Sequence, residues 1–394
     1  MLYLAIDQHR KQLTVEDRNQ HGDPTVRRQV STAWDRVRAF FDEYRGRADA
    51  EGGFVAILEV CGFNHWLVQM LRECGCREVI LVQPERRSKR KTDRRDAAAL
   101  AELLWVNRDR LLSGQGVQGV RRVEWPTQQD ADDRQLTVLR HRLGRQRTQT
   151  INRIKHLLRK HNIEQDCPTK GLDTIKGRRW LAAVPLEAVD RAEMDLLLAQ
   201  WKLWDEQMEA LDGEIRTRQA DHKTAVLLAS TPGCGAYSSL ALASRIGSIE
   251  RFPGPRSLAN YWGLTPGCRN SGDVTDRLGS ITKQGSAMAR FILGQLVLHV
   301  LRGDAWMKAW YGRIKKRRGA KIARVAVMRR LATILWHMVK HNEPYQKGGP
   351  AHVQRMRQTL DALAPSRAPA RARPKRAASS RRPHASVAAG CAAN

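Results

Sequence analysis

The sequence predicts an α/β amino-terminal domain, then a helical coiled-coil middle region, a mostly α carboxy-terminal domain and a disordered basic tail. Three observations carry this reading. Apolar runs of strand length alternate with helical patterns up to about residue 125; a heptad-spaced apolar seam lies near residue 200; and no acidic residue follows Asp361. The expected domains are residues 1–125, 126–221 and 222–345, with 346–394 as linker and tail.

The amino-terminal elements follow from period and length. Candidate strands are Leu2–Ile6, Gln12–Glu16, Thr25–Val30, Phe54–Glu59 and Val79–Val82, short runs bounded by turn residues. Trp34–Tyr44 and His65–Cys74 carry apolar residues at helical spacing. The first three strands are close enough for an antiparallel meander, and the later ones alternate with helices as in crossover units. A meander followed by βαβ, with an acid ending the first and fourth strands, is by analogy the plan of ribonuclease H-like folds.

In the middle region Leu197, Trp201, Trp204, Met208, Leu211 and Ile215 are spaced alternately four and three apart, a heptad seam. An earlier helix carries Leu136, Leu139, Leu143, Ile151, Ile154 and Leu158. Joined through the 168–185 region, the two predict a coiled-coil hairpin or a dimer seam; ordinary packing inside one subunit gives the same pattern. Pro344, Gly348, Gly349 and Pro350 end the third region. The Ala-, Pro-, Arg- and Ser-rich segment from about 362 cannot bury enough apolar surface to offset its ordering entropy.

Composition narrows the function. The chain of 394 residues has 69 Lys and Arg against 40 Asp and Glu, a net charge of +29, the footprint of a nucleic-acid binder. No apolar run approaches the ~20 residues of a spanning helix, and Asp7, Gln8, His9 and Arg10 follow Ile6 at once, unlike a signal peptide. A cytoplasmic, nucleoid-associated protein without a membrane partner is expected. Seven cysteines at scattered spacings predict reduced thiols rather than a zinc site.

Four acids stand where a carboxylate is costly unless something positive meets it. Asp7 and Glu59 close apolar runs, while Asp93 and Asp96 sit in a stretch otherwise nearly all Arg and Lys. On a helix the last two share a face. Acids in a first helical turn also serve as plain capping charges, but with Asp7 and Glu59 on neighbouring strands the four read as oxygen ligands for a hard divalent cation. Arg86, Arg87, Lys89, Arg90 and Lys91 flank them and are read as phosphate-backbone contacts. Further along, Thr231-Pro232-Gly233-Cys234-Gly235 precedes a helix; Gly233 and Gly235 would expose backbone N–H groups to a phosphate, or form a plain turn. Ser271 lies in a glycine-flanked polar loop near Arg269, Arg277 and Lys283, cations of the kind a serine nucleophile requires at phosphate, though composition alone does not distinguish it from any loop serine. Lys315, Lys316, Arg317 and Arg318 are placed among the nucleic-acid contacts.

These residues resemble a known family. Asp7, Glu59 and the pair in "KTDRRDAAALAELL" look like the DEDD tetrad of the insertion sequence 110 family of transposases, relatives of the Piv and MooV invertases. The block from Ser230 to Gly285 resembles that family's carboxy-terminal transposase domain. The resemblance implies a RuvC-like first domain, with Asp7, Glu59, Asp93 and Asp96 binding magnesium (or manganese) and Ser271 as the nucleophile joined transiently to DNA. It also implies a homo-oligomer, dimer or tetramer, and a structured noncoding bridge RNA that pairs with DNA, sequence choice being delegated to base pairing. Three positions depart from the family pattern: Gln8 follows Asp7 where an apolar residue is usual, Gly285-Ser286 replaces Gly-Asn, and Ala289-Arg290 stands near the usual Leu-Arg. The expected activity is magnesium-dependent DNA strand cleavage and transfer. A site-specific invertase of the same family and a hydrolytic RuvC-like junction nuclease are the alternatives.

Overall fold

The computed structural model describes residues 1–84, 93–268 and 278–347. The chain divides into two compact units, Met1–Thr127 and Gln128–Asn394.

The first unit is a mixed sheet covered by helices. Its elements are β1 (Leu2–Gln8), β2 (Gln12–Arg18), β3 (Pro24–Ser31), α1 (Trp34–Ala50), β4 (Phe54–Glu59), α2 (His65–Glu73), β5 (Val79–Pro84), α3 (Asp93–Val106), α4 (Arg108–Leu112) and β6 (Val120–Val123). Strand order is β3-β2-β1-β4-β5-β6. β1 and β2 pair antiparallel, and β1, β4 and β5 run parallel. The two faces sort by alternation. Leu2, Leu4, Ile6, Phe54, Ala56 and Leu58 pack with Val37, Phe40, Phe41, Leu67 and Leu71 of α1 and α2. Tyr3, Ala5, Val55 and Ile57 pack with Leu100, Ala101 and Leu104 of α3.

The strand expectations hold, but β6 and α4 were not foreseen. β6 carries Arg121 and Arg122 at its centre; it forms by pairing antiparallel with the edge of β5, and Arg122 reaches Glu78. Two buried acids hold the β2–β3 hairpin. Glu16 pairs with Arg27 at 2.7 Å, and Asp17 accepts from Thr25, Val26 and the Tyr44 hydroxyl at 3.1 Å.

The second unit is nearly all helix. Its elements are α5 (Gln128–Lys160), α6 (Ile175–Ala183), α7 (Ala188–Asp221), α8 (Lys223–Ala229), α9 (Ala236–Ile246), α10 (Pro255–Tyr261), the short strands β7 (Pro266–Cys268) and β8 (Leu278–Ile281), then α11 (Ala287–Gly303), α12 (Ala305–Arg318) and α13 (Ala320–His341). α5 and α7 pack on one another within the chain. Ile154, Leu157, Leu158, Leu197 and Trp201 form the apolar contact. Arg147 and Arg178 both bridge Asp173 and Asp205 at 2.6–2.7 Å, and the Arg178 guanidinium lies 4.4 Å from the Trp201 ring centre.

The expected seam is only partly the contact. Leu197, Trp201 and Ile215 are buried, Trp204, Met208 and Leu211 are half-buried, and Leu139 is 40% exposed. The amino-terminal half of α5 also packs against α9, so its contact stripe rotates away from Leu139. Among the described residues no helix is long and apolar enough to cross a membrane.

Candidate active site

β1 and β4, the two central strands, deliver Asp7 and Glu59 to one end of the sheet. Ile6 lies opposite Leu58 in the parallel register, and Asp7 and Glu59 each follow by one residue. Alternation puts both on the face covered by α3, continuing the rows Tyr3-Ala5 and Val55-Ile57. Asp7 is buried and Glu59 half-buried.

α3 is oriented by contacts at its other end. Glu102 pairs with Arg18 at 2.7 Å, and Arg18 lies opposite Tyr3. A Cβ on Gly22, in the β2–β3 turn, would meet the Trp105 ring at 2.7 Å. The carboxy-terminal turns of α3 therefore cover the start of β1. Six residues back from Glu102, about 9 Å of helix rise, brings Asp96 toward the level of Asp7. Asp96 also continues the sheet-facing stripe of Leu100 and Leu104 by one turn. Asp93 begins α3; its side chain lies outside the described residues.

One thiol registers the first two charges together. Burial pushes the Cys61 thiol up, and the carboxylates of Asp7 and Glu59 both add to that rise. The Nε2 of His9 lies 3.0 Å from Oδ2 of Asp7. Among the described residues no three His, Cys, Asp or Glu side chains form a cation site. The donor chemistry nevertheless fits, since these are hard oxygen donors of the kind magnesium and manganese accept.

Gln8, a departure from the family pattern, is buried but fully engaged. It donates to the Phe63 carbonyl at 3.1 Å and accepts from Asn64 at 2.9 Å. Asn64 in turn donates to the Glu59 carbonyl at 3.2 Å and accepts from the Cys61 amide at 2.6 Å. The sequence singled out neither Asn64 nor Cys61. Both turn the β4–α2 loop back onto the acids. An Asn before a helix was the available signal.

In the second unit the Ser271 segment joins β7 to β8. Ser271, Arg269 and Arg277 lie outside the described residues, as do Arg86, Arg87, Lys89, Arg90, Lys91 and the tail from residue 348. The ends of the segment are clasped. Gly263 (φ +66°) and Gly285 (φ +72°) cross so closely that a Cβ on Gly285 would stand 1.9 Å from the Tyr261 carbonyl oxygen. Arg290 donates to the carbonyls of Trp262 at 3.0 Å and Gln284 at 2.9 Å, and burial lowers its pKa. Ser286 caps α11, accepting from the Ala289 amide at 3.2 Å. Serine and asparagine are equivalent caps, so that family departure keeps its function. Lys283 is exposed and holds φ +55°, with its amide on the Gly263 carbonyl at 3.1 Å.

Gly233 and Gly235 end at the amino terminus of α9. Gly233 has φ +81° and no room for a Cβ, which would meet His299 at 2.3 Å. Gly235 is open, with nothing within 4 Å. Tyr237 and Ser238 of the first turn line a cavity of about 540 Å³ with Arg140, His141 and Arg145. Burial lowers the pKa of His141, and the neighbouring Arg145 and Arg140 charges lower it further. Lys315, Lys316, Arg317 and Arg318 are all exposed in the last turn of α12, where cations also complement the helix dipole.

Comparison with known proteins meets this geometry at both ends. A model described as the transposase IS116/IS110/IS902 family matches residues 225–312. A DEDD transposase model of the IS110 type matches residues 4–163, the span holding Asp7, Glu59, Asp93 and Asp96. The chain belongs to the IS110 family of transposases. It is 28% identical over 310 residues to the transposase for insertion sequence element IS1111A of Coxiella burnetii, covering 74% of this chain and 79% of that one. It is 22% identical over 308 residues to the IS1328 transposase of Yersinia enterocolitica, covering 74% and 86%. A pilin gene-inverting protein of Moraxella bovis is 28% identical over 151 residues, covering 36% of this chain and 47% of that protein. Membership implies an enzyme that cuts and rejoins DNA, and a DEDD domain implies a divalent metal, usually magnesium.

Proposed function

We propose that the chain is the recombinase of an insertion sequence, cutting and rejoining DNA through a covalent serine–DNA ester. The observation that carries this is the placement of Asp7 and Glu59 on adjacent strand ends, on the sheet face that α3 covers. The strand order β3-β2-β1-β4-β5, antiparallel then parallel, supports a RuvC-like reading of the first unit. Asp7, Glu59, Asp93 and Asp96 would hold the magnesium ion, which when bound supplies charge neutralisation at the scissile phosphate.

The protein's own groups then divide the work. Asn64 and Gln8 hold the loop beside the acids, keeping Asp7 and Glu59 side by side. The Gly263–Gly285 crossing and Arg290 fix both ends of the segment that presents Ser271. Ser271 Oγ replaces a deoxyribose oxygen on phosphorus, which leaves as a hydroxyl and conserves the bond for rejoining. A hydroxyl of the partner strand then displaces Ser271.

A structured guide RNA is proposed as a partner, supported by the net charge of +29. A homo-oligomer through the helical region is supported by Val189, Leu196 and Leu203. They are seven apart on α7 and 81%, 67% and 44% exposed, a stripe on the side not used against α5. Inversion of a DNA segment is a second reading, favoured by the match to the pilin gene-inverting protein; the same residues would serve it.

The test is a denaturing gel of labelled element-end DNA incubated with the protein and magnesium. The expected result is a DNA-linked band that Ser271→Ala abolishes while DNA binding survives. Free cleaved ends with no linked band, or an undiminished band from Ser271→Ala, would replace this mechanism with hydrolysis or another nucleophile.

A further inference from the structure

A cavity of about 530 Å³ opens between α10 and the α12–α13 hairpin, within the range of pockets that enclose small ligands. Its useful lining is Arg256, Thr265, Trp310, Arg329, Arg330 and Thr333. Trp310 also lines a second hollow of about 480 Å³, with Arg313, Ile314, Lys316 and Arg317. Neither lining contains an acid. One half-buried indole is therefore common to two cationic recesses.

The indole is held rigidly. Trp306 and Trp310 stack with ring planes 3° apart and centres 6.4 Å apart. The Arg330 guanidinium lies 5.2 Å from the first ring centre and 6.0 Å from the second. Packing of α12 on α13 accounts for Trp306. It does not account for an arginine cluster around Trp310, nor for Arg330 Nε, which is buried without a hydrogen-bond acceptor among the described residues. A buried donor left unmatched is costly, and an anionic acceptor entering the cavity would satisfy it. Thr265, which lines the cavity, directly precedes β7, the strand leading into the Ser271 segment.

We propose that this cavity holds one unpaired nucleotide of a nucleic-acid strand, its base against Trp310 and its phosphate on Arg256, Arg329 and Arg330. A flat aromatic face beside guanidinium groups and two threonine hydroxyls is the chemistry of single-strand recognition; an acidic peptide would need the cations but not the indole face. The inference rests on the recombinase reading. It gives that reading a place to hold an opened strand in the same unit whose sequence carries Ser271.

The test uses the full chain in magnesium-free buffer, with fluorescence anisotropy of labelled mixed-sequence oligonucleotides: single-stranded deoxy, single-stranded ribo, and duplex DNA. Trp310→Ala should weaken single-strand binding about tenfold, the loss of one base–aromatic stack, leaving the slope of log affinity against log salt unchanged. Duplex binding should move less than about twofold, because paired bases present no free face. Trp310→Phe should recover most of the loss. The double change Arg256→Gln with Arg329→Gln should flatten the single-strand salt slope by about 1.4, two contacts at ~0.7 each. Loss confined to the deoxy or the ribo strand identifies the source of the nucleotide. Wild-type single-strand affinity in Trp310→Ala overturns the proposal, as does an equal loss on duplex, or failure of Trp310→Phe to recover binding while the protein stays folded. If Ser271→Ala still abolishes the DNA-linked band, such a result removes the pocket alone; loss of the Ser271 role with stacking intact removes only the serine chemistry.

Discussion

Replacing Gly285 by alanine tests whether the clasp around the Ser271 segment is as tight as its geometry indicates. Two costs add. At φ +72° an L-residue is about 1 kcal/mol worse than glycine. The new Cβ would stand 1.9 Å from the Tyr261 carbonyl oxygen, so backbone must move by more than about 1 Å, an overpacking strain of ~1–3 kcal/mol. The neighbouring Arg290 contacts, at 2.9 Å to Gln284 and 3.4 Å to Gly285, would be disturbed as well. The sum is about 3 kcal/mol, roughly 10 °C in the melting of a unit this size. Gly235→Ala is the matched control. Its φ is −75° and an added Cβ meets nothing within 4 Å. A small gain from a stiffer unfolded chain is offset by a poorer helix cap, so the change should stay within about 0.5 kcal/mol. Calorimetry of both variants decides it. Gly285→Ala melting at the wild-type temperature, or Gly235→Ala falling as far, would refute the reasoning.

Three further outcomes are expected. Burial pushes the Cys76 and Cys234 thiols up to about 12, so at pH 8 the native protein should alkylate at these two positions roughly a thousandfold more slowly than the urea-unfolded chain. Because the folded values exceed the unfolded one, the two thiols contribute stability that is complete below about pH 9 and declines as pH rises toward 12; peptide mapping after alkylation and melts at pH 8 and 10 check both. The pair Leu196→Glu with Leu203→Glu should shift the sedimentation profile toward smaller species without lowering helix content, whereas an unchanged profile would take the subunit contact off α7.

Much of the first unit was legible because its strands announce themselves. Phe54–Glu59 is apolar until the acid that ends it, and the observed β4 has the same bounds. Asp7 and Glu59 stood out for the same reason, each against an apolar run, and the parallel register brings their strand ends side by side. β6 was not, since Val-Arg-Arg-Val is four residues with charge at its centre, and only the free edge of β5 makes it a strand. The Asn64–Gln8 network was hidden because its members are ordinary polar residues until a 56-residue separation closes. The heptad spacing on α7 became only partly a contact, because a spacing cannot say which neighbour receives it. In the fold α5 takes the row at Leu197 and Trp201, while Leu196 and Leu203, one position before Leu197 and Trp204 respectively, stay outside. The clasp at Gly263 and Gly285 depends on two backbone conformations that glycine permits and no pattern reveals.

Manganese titration of the full chain, followed by the electron paramagnetic resonance of the free ion, goes straight to the shared ligand set. One ion per chain should bind, and Asp7→Asn, Glu59→Gln and Asp96→Asn should each weaken that binding tenfold or more while leaving the melting of the first unit in place. Undiminished binding in any one of the three would show that these carboxylates do not act on a common ion.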